Sequence, residues 1–579
     1  MMEEGTQPSP VLANETAGRT RLVVLHLAWL LPVLIIQMWF FRTHFRGLRA
    51  AEAMDAAQVG RHISEGHGFT TSFLRPLSIA IVGKVNGHPD LYNAPLQPLL
   101  LSIAFNLGTS SDRVVAAVAT LFGLLTAFMA YLLGARLLDW RAGALAAVVV
   151  SMSAGLLQSN ISGTNTTLLA FLIGLLFYLV LTHRGTLRRS MVCGGISGLA
   201  CLTEYVALML ALPVAGLLFL PSRPARARHV GLFVAGLVIV VLPWLIRNQI
   251  VAGSPFATLK SYSIAMYGDS YPSASLYRLP SRDGIAPLTF VSGHPREVAK
   301  KLLVNLASLE SSLPGTYGLV LFALFAMSLF LDLGSTAANR MKWGVAIGIA
   351  LMAAGAAIGE PRLDPIYALL GPIAALGTTA FFVALEARGP SRSVVSAATA
   401  GVLALAALPW VLSALPTSAD DRPESRSLDY LSRSLPPGAV VLTDKPWAVA
   451  WHSDRIAVWL PQAPAPDIRP GSKLLLREAA DATEAAGFRA LERAGVRPDA
   501  IFLSSELPSY PAFEDLARWQ LLHRVIAAQL ETPQRGETEG PVWVPKGWTL
   551  AASLPPMDFV LTRSRQAGPA AGMRPEGRP

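Results

Sequence analysis

Along the chain, apolar runs alternate with short, often basic, polar breaks as far as residue 415, and then the pattern changes. The runs are Leu22–Phe40, Val114–Leu137, Ala144–Leu157, Leu168–Leu181, Met191–Leu220, His229–Ile250, Tyr317–Leu331, Trp343–Ile358, Ile366–Leu385 and Val394–Leu415. A bilayer core asks a helix for roughly 17–25 apolar residues, so these read as membrane spans. Met191–Leu220 is interrupted by Thr203-Glu204-Tyr205 and reads as two short helices meeting there. Pro95–Leu107 is too short for a span and reads as interfacial or re-entrant. The pattern predicts a polytopic α-helical protein of about eleven spans.

Two polar stretches are long. One is the loop over residues 42–98, which carries RAAEAMDAAQVGRHISEGHGF and HPDLYNAPLQPLLL; the other covers 251–314. Arg136, Arg141, HRGTLRRS, SRPARARH, Arg340, Lys342 and EARGPSR mark the opposite ends of the spans as cytoplasmic by the positive-inside rule. Both long loops then lie outside, with the N-terminus inside.

Residues 1–21 are polar and read as a disordered cytoplasmic segment, with no cleavage site after Phe40. From 416 to 563, helical stretches such as SLDYLSRS and Glu484–Ala494 alternate with the short apolar runs AVVLTD, RIAVWLP and AIFLSS. That alternation predicts a small soluble α/β domain, placed outside by the span count. The tail 564–579 reads as disordered.

Composition agrees with this picture: of 579 residues, 52% are hydrophobic and 15% charged, where a soluble chain carries about a quarter. The net charge of +10 comes largely from Arg in short loops, so it orients helices rather than binding nucleic acid. Cys193 and Cys201 are the only cysteines; inside one apolar run they read as packing residues rather than a disulfide or metal site. No block repeats at fixed spacing, so inverted-repeat transporters gain no support.

Candidate chemistry gathers on the outer side. Glu52 and Asp55 stand three apart, on neighbouring helix faces; there they would activate an acceptor hydroxyl and hold a cation, or form a solvated acidic face. Glu204, between two apolar runs, is either a functional carboxylate or a helix-end residue reaching the interface. Arg247 with Asn248, and Arg362 with Glu360 and Asp364 near it, close or open outer helix ends and suit a phosphate; the bland reading is snorkelling. Lys300 and Lys301 read as a solvated pair. Trp447, Trp451 and Trp459 read as core packing ahead of a sugar platform.

These segments, in this order and on one side, resemble the GT-C class of polyprenyl-phosphate-sugar-dependent glycosyltransferases. Within it they are similar to family 39-like enzymes, the bacterial relatives of protein O-mannosyltransferases and of lipid A aminoarabinose transferase. The resemblance covers residues 22–415 and rests on EAMDAAQVGRHISEGHGF, HPDLYNAPLQPLLL, PWLIRN with PF soon after, and PRL. It departs from the family at Ala51, at Asp55 where Tyr is usual, at the Asp of HPD, at Asn165 and at Glu204. The resemblance implies an inverting hexosyl- or pentosyltransferase of the cell envelope, in a bacterial inner or plasma membrane. Its donor would be a polyprenyl-phosphate sugar and its acceptor a protein, lipid or glycan, with Glu52 or Asp55 as base and Arg247 and Arg362 on the phosphate. Tyr92, Asn165, Glu204 and Asn248 are further pocket candidates. No metal ligand set is assigned, and a divalent cation is left open. A flippase of lipid-linked sugars and an inactive scaffold of the same fold are the rival readings.

Overall fold

In the computed structural model the described residues are 29–183, 185–219, 226–271, 273–279, 286–413, 425–461, 491–504, 548–554 and 558–563. The N-terminal segment 1–21 and the tail 564–579 lie outside them. The chain divides into two compact units. One gathers the chain up to Glu65 with Asn93–Phe256 and Val298–Ala419; the other gathers Gly66–Tyr92, Ala257–Glu297 and everything from Asp420. The boundary is therefore not a single cut near residue 416. Each of the two long loops is shared, and the second half of the first belongs to the second unit.

The first unit is helical. In chain order it contains α1 (Leu30–His44), α2 (Ala51–Ser64), α3 (Leu96–Leu107), α4 (Asp112–Leu137), α5 (Trp140–Ser151), α6 (Ala154–Ser162), α7 (Thr166–Leu181) and α8 (Leu187–Cys201). There follow α9 (Ala211–Phe219), α10 (Arg226–Ala252), α11 (Pro295–Tyr317, whose first turn counts with the other unit), α12 (Leu319–Phe330), α13 (Thr336–Ile358), α14 (Leu370–Glu386) and α15 (Arg392–Ser413). By length and composition three of the described helices can cross a bilayer: α4, α10 from Ala227, and α13. The bent pair α5–α6, with an angle of 56°, makes a fourth. The other apolar helices have 10–17 residues, so a larger span count needs them to cross as short or broken segments.

The run Met191–Leu220 does break at Glu204. Here α8 ends, Glu204 is extended (φ −150, ψ 121), and a 3-10 stretch Tyr205–Leu210 leads into α9. Helices α8 and α10 cross closely because their contact is made of glycine. A Cβ at Gly194 would come within 1.9 Å of the Phe233 carbonyl oxygen, and one at Gly236 within 2.1 Å of that of Met191. Such small-residue contacts let two helix backbones approach closely. At the start of α5, Asp139 accepts from the backbone N–H groups of Arg141 and Ala142, satisfying two donors that a helix start leaves open.

The second unit is a six-stranded sheet, β1 (Phe73–Leu74), β2 (Val440–Thr443), β3 (Ile456–Trp459), β4 (Ala500–Leu503), β5 (Trp548–Leu554) and β6 (Asp558–Arg563). The order is β1-β3-β2-β4-β6-β5; the first four are mutually parallel, and β6 and β5 run antiparallel. The three apolar runs expected as strands are β2, β3 and β4. The helix expected over 484–494 is described only from 491, where it is helical to 493. Strand alternation sorts the side chains. Leu74, Leu442, Val458, Ile501 and Leu561 join one buried aliphatic cluster, while Phe73 and Trp459, on the other face, meet edge-on at 5.8 Å. Trp451 is buried, and half-buried Trp447 and Trp459 stand at 84° to each other. Where β2 and β4 end, Asp444 accepts from both the backbone N–H (3.0 Å) and the hydroxyl (2.7 Å) of Ser504, which fastens the two strand ends.

Candidate functional site

Helix α2 presents the acids. Its sequence AEAMDAAQVG is small and apolar around one carboxylate, and Ala53 to Gly60 are buried without a break. Gly60 permits the contact with α3: a Cβ there would sit 3.0 Å from Leu101 Cβ and from the Pro98 carbonyl oxygen. Asp55 is 1% exposed and accepts a hydrogen bond from Gln58 Nε2 at 3.1 Å. This is not the solvated acidic face that spacing alone allowed. Burying a carboxylate costs several kcal/mol unless it is hydrogen-bonded, so its environment has to be built for it.

Glu52 lies one turn earlier, and its side chain is 38% exposed. It pairs with Arg362 Nη2, which also donates to Asp364 Oδ2 at 3.0 Å. Arg362 itself is largely shielded, at 18%. Opposite charges separated by 310 residues of sequence thus meet, one from the start of the first loop and one between α13 and α14. The Leu48 backbone N–H donates to Asp112 Oδ2 at 3.1 Å, holding the entry of that loop at the first turn of α4.

A second polar group lies at the Glu204 break. Glu204 is 7% exposed and accepts from Asn165 Nδ2 at 3.3 Å, while the same amide donates to the Thr203 carbonyl at 2.9 Å. Two bonds tie this group to α3: Leu96 N–H to the Leu202 carbonyl (3.0 Å), and Gln97 Nε2 to the Gly163 carbonyl (2.9 Å). Ala53 of α2 lies in contact range of Gly163, 3.5 Å from a Cβ built there. Helices α2 and α3, the turn before α7 and the break before α9 are therefore one continuous layer.

Arg247 joins the same layer through aromatic rings. Its guanidinium carbon lies 4.7 Å from the Trp244 ring centre, within cation–π range, and its Nη1 donates to Asn248 Oδ1 at 3.1 Å. Trp244 Nε1 donates to the hydroxyl of Tyr205, the residue after Glu204, at 3.0 Å. Asn248 is buried and reaches the Pro255 carbonyl at 3.5 Å.

Of the sequence candidates, Glu52 and Arg362 are in direct contact, as are Asn165 and Glu204, and Arg247 and Asn248. Tyr92 belongs to the second unit, where its ring stands edge-on to Tyr277 at 5.6 Å with the Arg75 guanidinium 3.7 Å above it. Lys300 and Lys301 are not a solvated pair: Lys301 is 5% exposed. Gln58, Gln97, Tyr205 and Trp244 were not singled out in the sequence. Trp244 was legible as the residue three before Arg247, a spacing that places side chains together on a helix; a glutamine carries no comparable signal. Cys193 and Cys201 are free and buried. Among the described residues no group of three or more His, Cys, Asp or Glu is placed to hold a metal ion.

This helical unit, with an acidic helix after its first helix and a mixed sheet in the other unit, has the GT-C glycosyltransferase fold. Residues 88–246 match the family model described as dolichyl-phosphate-mannose-protein mannosyltransferase; the match runs from HPDLY to the Ile246 of PWLIRN. Among solved structures, the oligosaccharyltransferase of Archaeoglobus fulgidus in its apo form is similar, with 14% identity, a TM-score of 0.53, and coverage of 83% of this chain and 69% of that one. So is the same organism's AglB in complex with an inhibitory peptide and a dolichol-phosphate, at 15%, 0.50, 82% and 69%. ArnT from Cupriavidus metallidurans bound to undecaprenyl phosphate aligns over 95% of this chain and 99% of its own, at 14% identity and a TM-score of 0.43. At these identities the likeness is one of fold. No curated protein sequence matches the chain.

Proposed function

We propose that the protein is an integral-membrane glycosyltransferase that moves a sugar from a polyprenyl-phosphate donor to an acceptor at the outer face of a bacterial inner or plasma membrane. The observation that carries the reading is the pairing of Glu52 with Arg362 beside buried Asp55 in a GT-C fold. The fold's relatives support the ligand classes: one solved structure holds a dolichol-phosphate and a peptide. In this reading the shorter apolar helices also cross the membrane, giving about eleven spans with the N-terminus inside and the second unit outside.

The chemistry follows from the site. Asp55, which accepts a hydrogen bond from the Gln58 amide, takes the proton of the acceptor hydroxyl as its oxygen attacks the anomeric carbon from the side opposite the phosphate. The anomeric C–O bond breaks, the configuration inverts, and the polyprenyl phosphate leaves with the bonding pair. A phosphate leaves readily as an anion, so positioning and charge stabilisation carry most of the rate. Glu52 and Asp364 hold Arg362 in place; a guanidinium has five N–H donors in a rigid fork suited to phosphate oxygens. Arg247, over the Trp244 ring, is the second cation for the same group. Asn165 and Glu204 shape the acceptor side.

The test is donor turnover by the purified full-length protein with polyprenyl-phosphate sugars in detergent. Turnover lost in Asp55→Asn and strongly reduced in Glu52→Gln, with both variants folded, is the expected result. Undiminished turnover in both variants and in the double variant removes the assignment of the acids.

A further inference from the structure

The first unit contains a cavity of about 280 Å³ far from the acids. Its walls are apolar, with Phe177 from α7, Leu218 from α9 and Met341 from α13, and its rim carries His183, Ala337 and Arg340. Helix α13 fixes the separation. It has 23 residues, ~34 Å at ~1.5 Å each, with the cavity at its first turns and Arg362 just beyond its other end. Helix α7 runs in the same sense over 16 residues, ~24 Å: Asn165, which bonds Glu204, precedes its first residue, and His183 lies two residues past its last. The cavity therefore stands about one hydrocarbon thickness, ~30 Å, from the Glu52–Arg362 pair.

Its rim divides the labour between shape and charge. The Gly185 backbone N–H donates to His183 Nδ1 at 3.0 Å, so the ring proton sits on Nε2. Nε2 lies 3.2 Å from Ser190 Oγ, which is also hydrogen-bonded to His229 Nδ1 at 2.8 Å. His183 is thereby fixed in place. Arg340 is half-buried and, among the described residues, has no hydrogen-bond or ion-pair partner. A permanent cation on the lip of an apolar cavity fits an amphiphile with a negative head.

We propose that this cavity seats an anionic bilayer phospholipid, its phosphate on Arg340 and the first methylenes of its chain against Phe177, Leu218 and Met341. A bilayer lipid is favoured over the donor's carrier because the cavity opens at the end of α13 remote from Arg362. The inference rests on the membrane-spanning reading but not on the transferase chemistry, and its readout is lipid retention, which needs no turnover.

The experiment is native mass spectrometry of the full-length protein carried through detergent with phosphatidylglycerol, a diacylglycerol, a polyprenyl phosphate or inorganic phosphate. Expected is one retained phosphatidylglycerol, bound about tenfold more weakly in Arg340→Gln, largely kept in Arg340→Lys, and lost in Ala337→Trp, which fills the cavity from an exposed position. Unchanged thermal midpoints without lipid confirm that each variant folds. Wild-type retention in both Arg340→Gln and Ala337→Trp overturns the proposal, as does equal retention of diacylglycerol. Preferential retention of polyprenyl phosphate, or displacement of the lipid by inorganic phosphate, overturns the choice of occupant.

Discussion

The two units solve burial in opposite ways. In the first, large apolar side chains such as Leu31, Ile35, Ile239, Ile250, Leu303 and Phe330 are exposed, and polar ones such as Gln37, Asp55, Asn160 and Glu204 are buried. In the second, the aliphatic faces of the strands are inside, and Leu288 is the only large hydrophobic exposed among its described residues. Exposed apolar surface on this scale is unfavourable in water and ordinary in lipid. One chain is thus written for two solvents, and a composition averaged over both hides the change.

The comparison can be broken or sharpened by mutation. The largest effect is expected in the first unit's polar interior: Asp55→Asn lowers donor turnover about 10²–10⁴-fold, the usual contribution of a positioned proton acceptor. Next comes the lipid-facing surface. Ile239→Asp, near the middle of α10, costs about 2.5–3.5 kcal/mol of insertion, read as lost protein in the membrane fraction; normal yield would mean that this face does not meet lipid. Arg362→Gln reduces turnover about 10–100-fold through loss of a charge-assisted contact. Adding Glu52→Gln then costs little more, because both act through one group, whereas additive losses would give Glu52 a separate role.

In the second unit the expected effects are those of a sheet whose apolar side chains lie inside. Asp444→Ala leaves the Ser504 N–H without its acceptor at the strand ends and costs about 1–3 kcal/mol, seen as a lower thermal midpoint with donor binding intact. Leu288→Asp is expected within about 0.5 kcal/mol of wild type. A large loss there would place that surface against something other than water.

Much of this was legible from local pattern. The apolar runs became helices, Thr203-Glu204-Tyr205 became a break, and AVVLTD, RIAVWLP and AIFLSS became parallel strands, because hydrophobic period and length act over a few residues. Strand β1 was not legible. It has two residues, Phe73 and Leu74, too few to show alternation, and it is a strand only because Ala457 and Val458 stand beside it. The first long loop looked like one element for the same reason; nothing local tells that Gly66–Tyr92 belongs with a sheet formed from residue 440 on. The acids were picked out by type and position, but their environments were not legible: spacing left a solvated acidic face open, and it is the packing of α3 that buries Ala53 to Gly60.

What the sequence determined by itself was the choice of solvent for each stretch and the kind of side chain available at each helix end, since both follow from composition over tens of residues. Only the tertiary structure decided that Glu52 meets Arg362, that Asn165 meets Glu204, and that Arg340 borders a cavity. Those outcomes depend on which helices pack together, and in lipid that choice is made by close glycine contacts and buried hydrogen bonds between residues far apart in the chain.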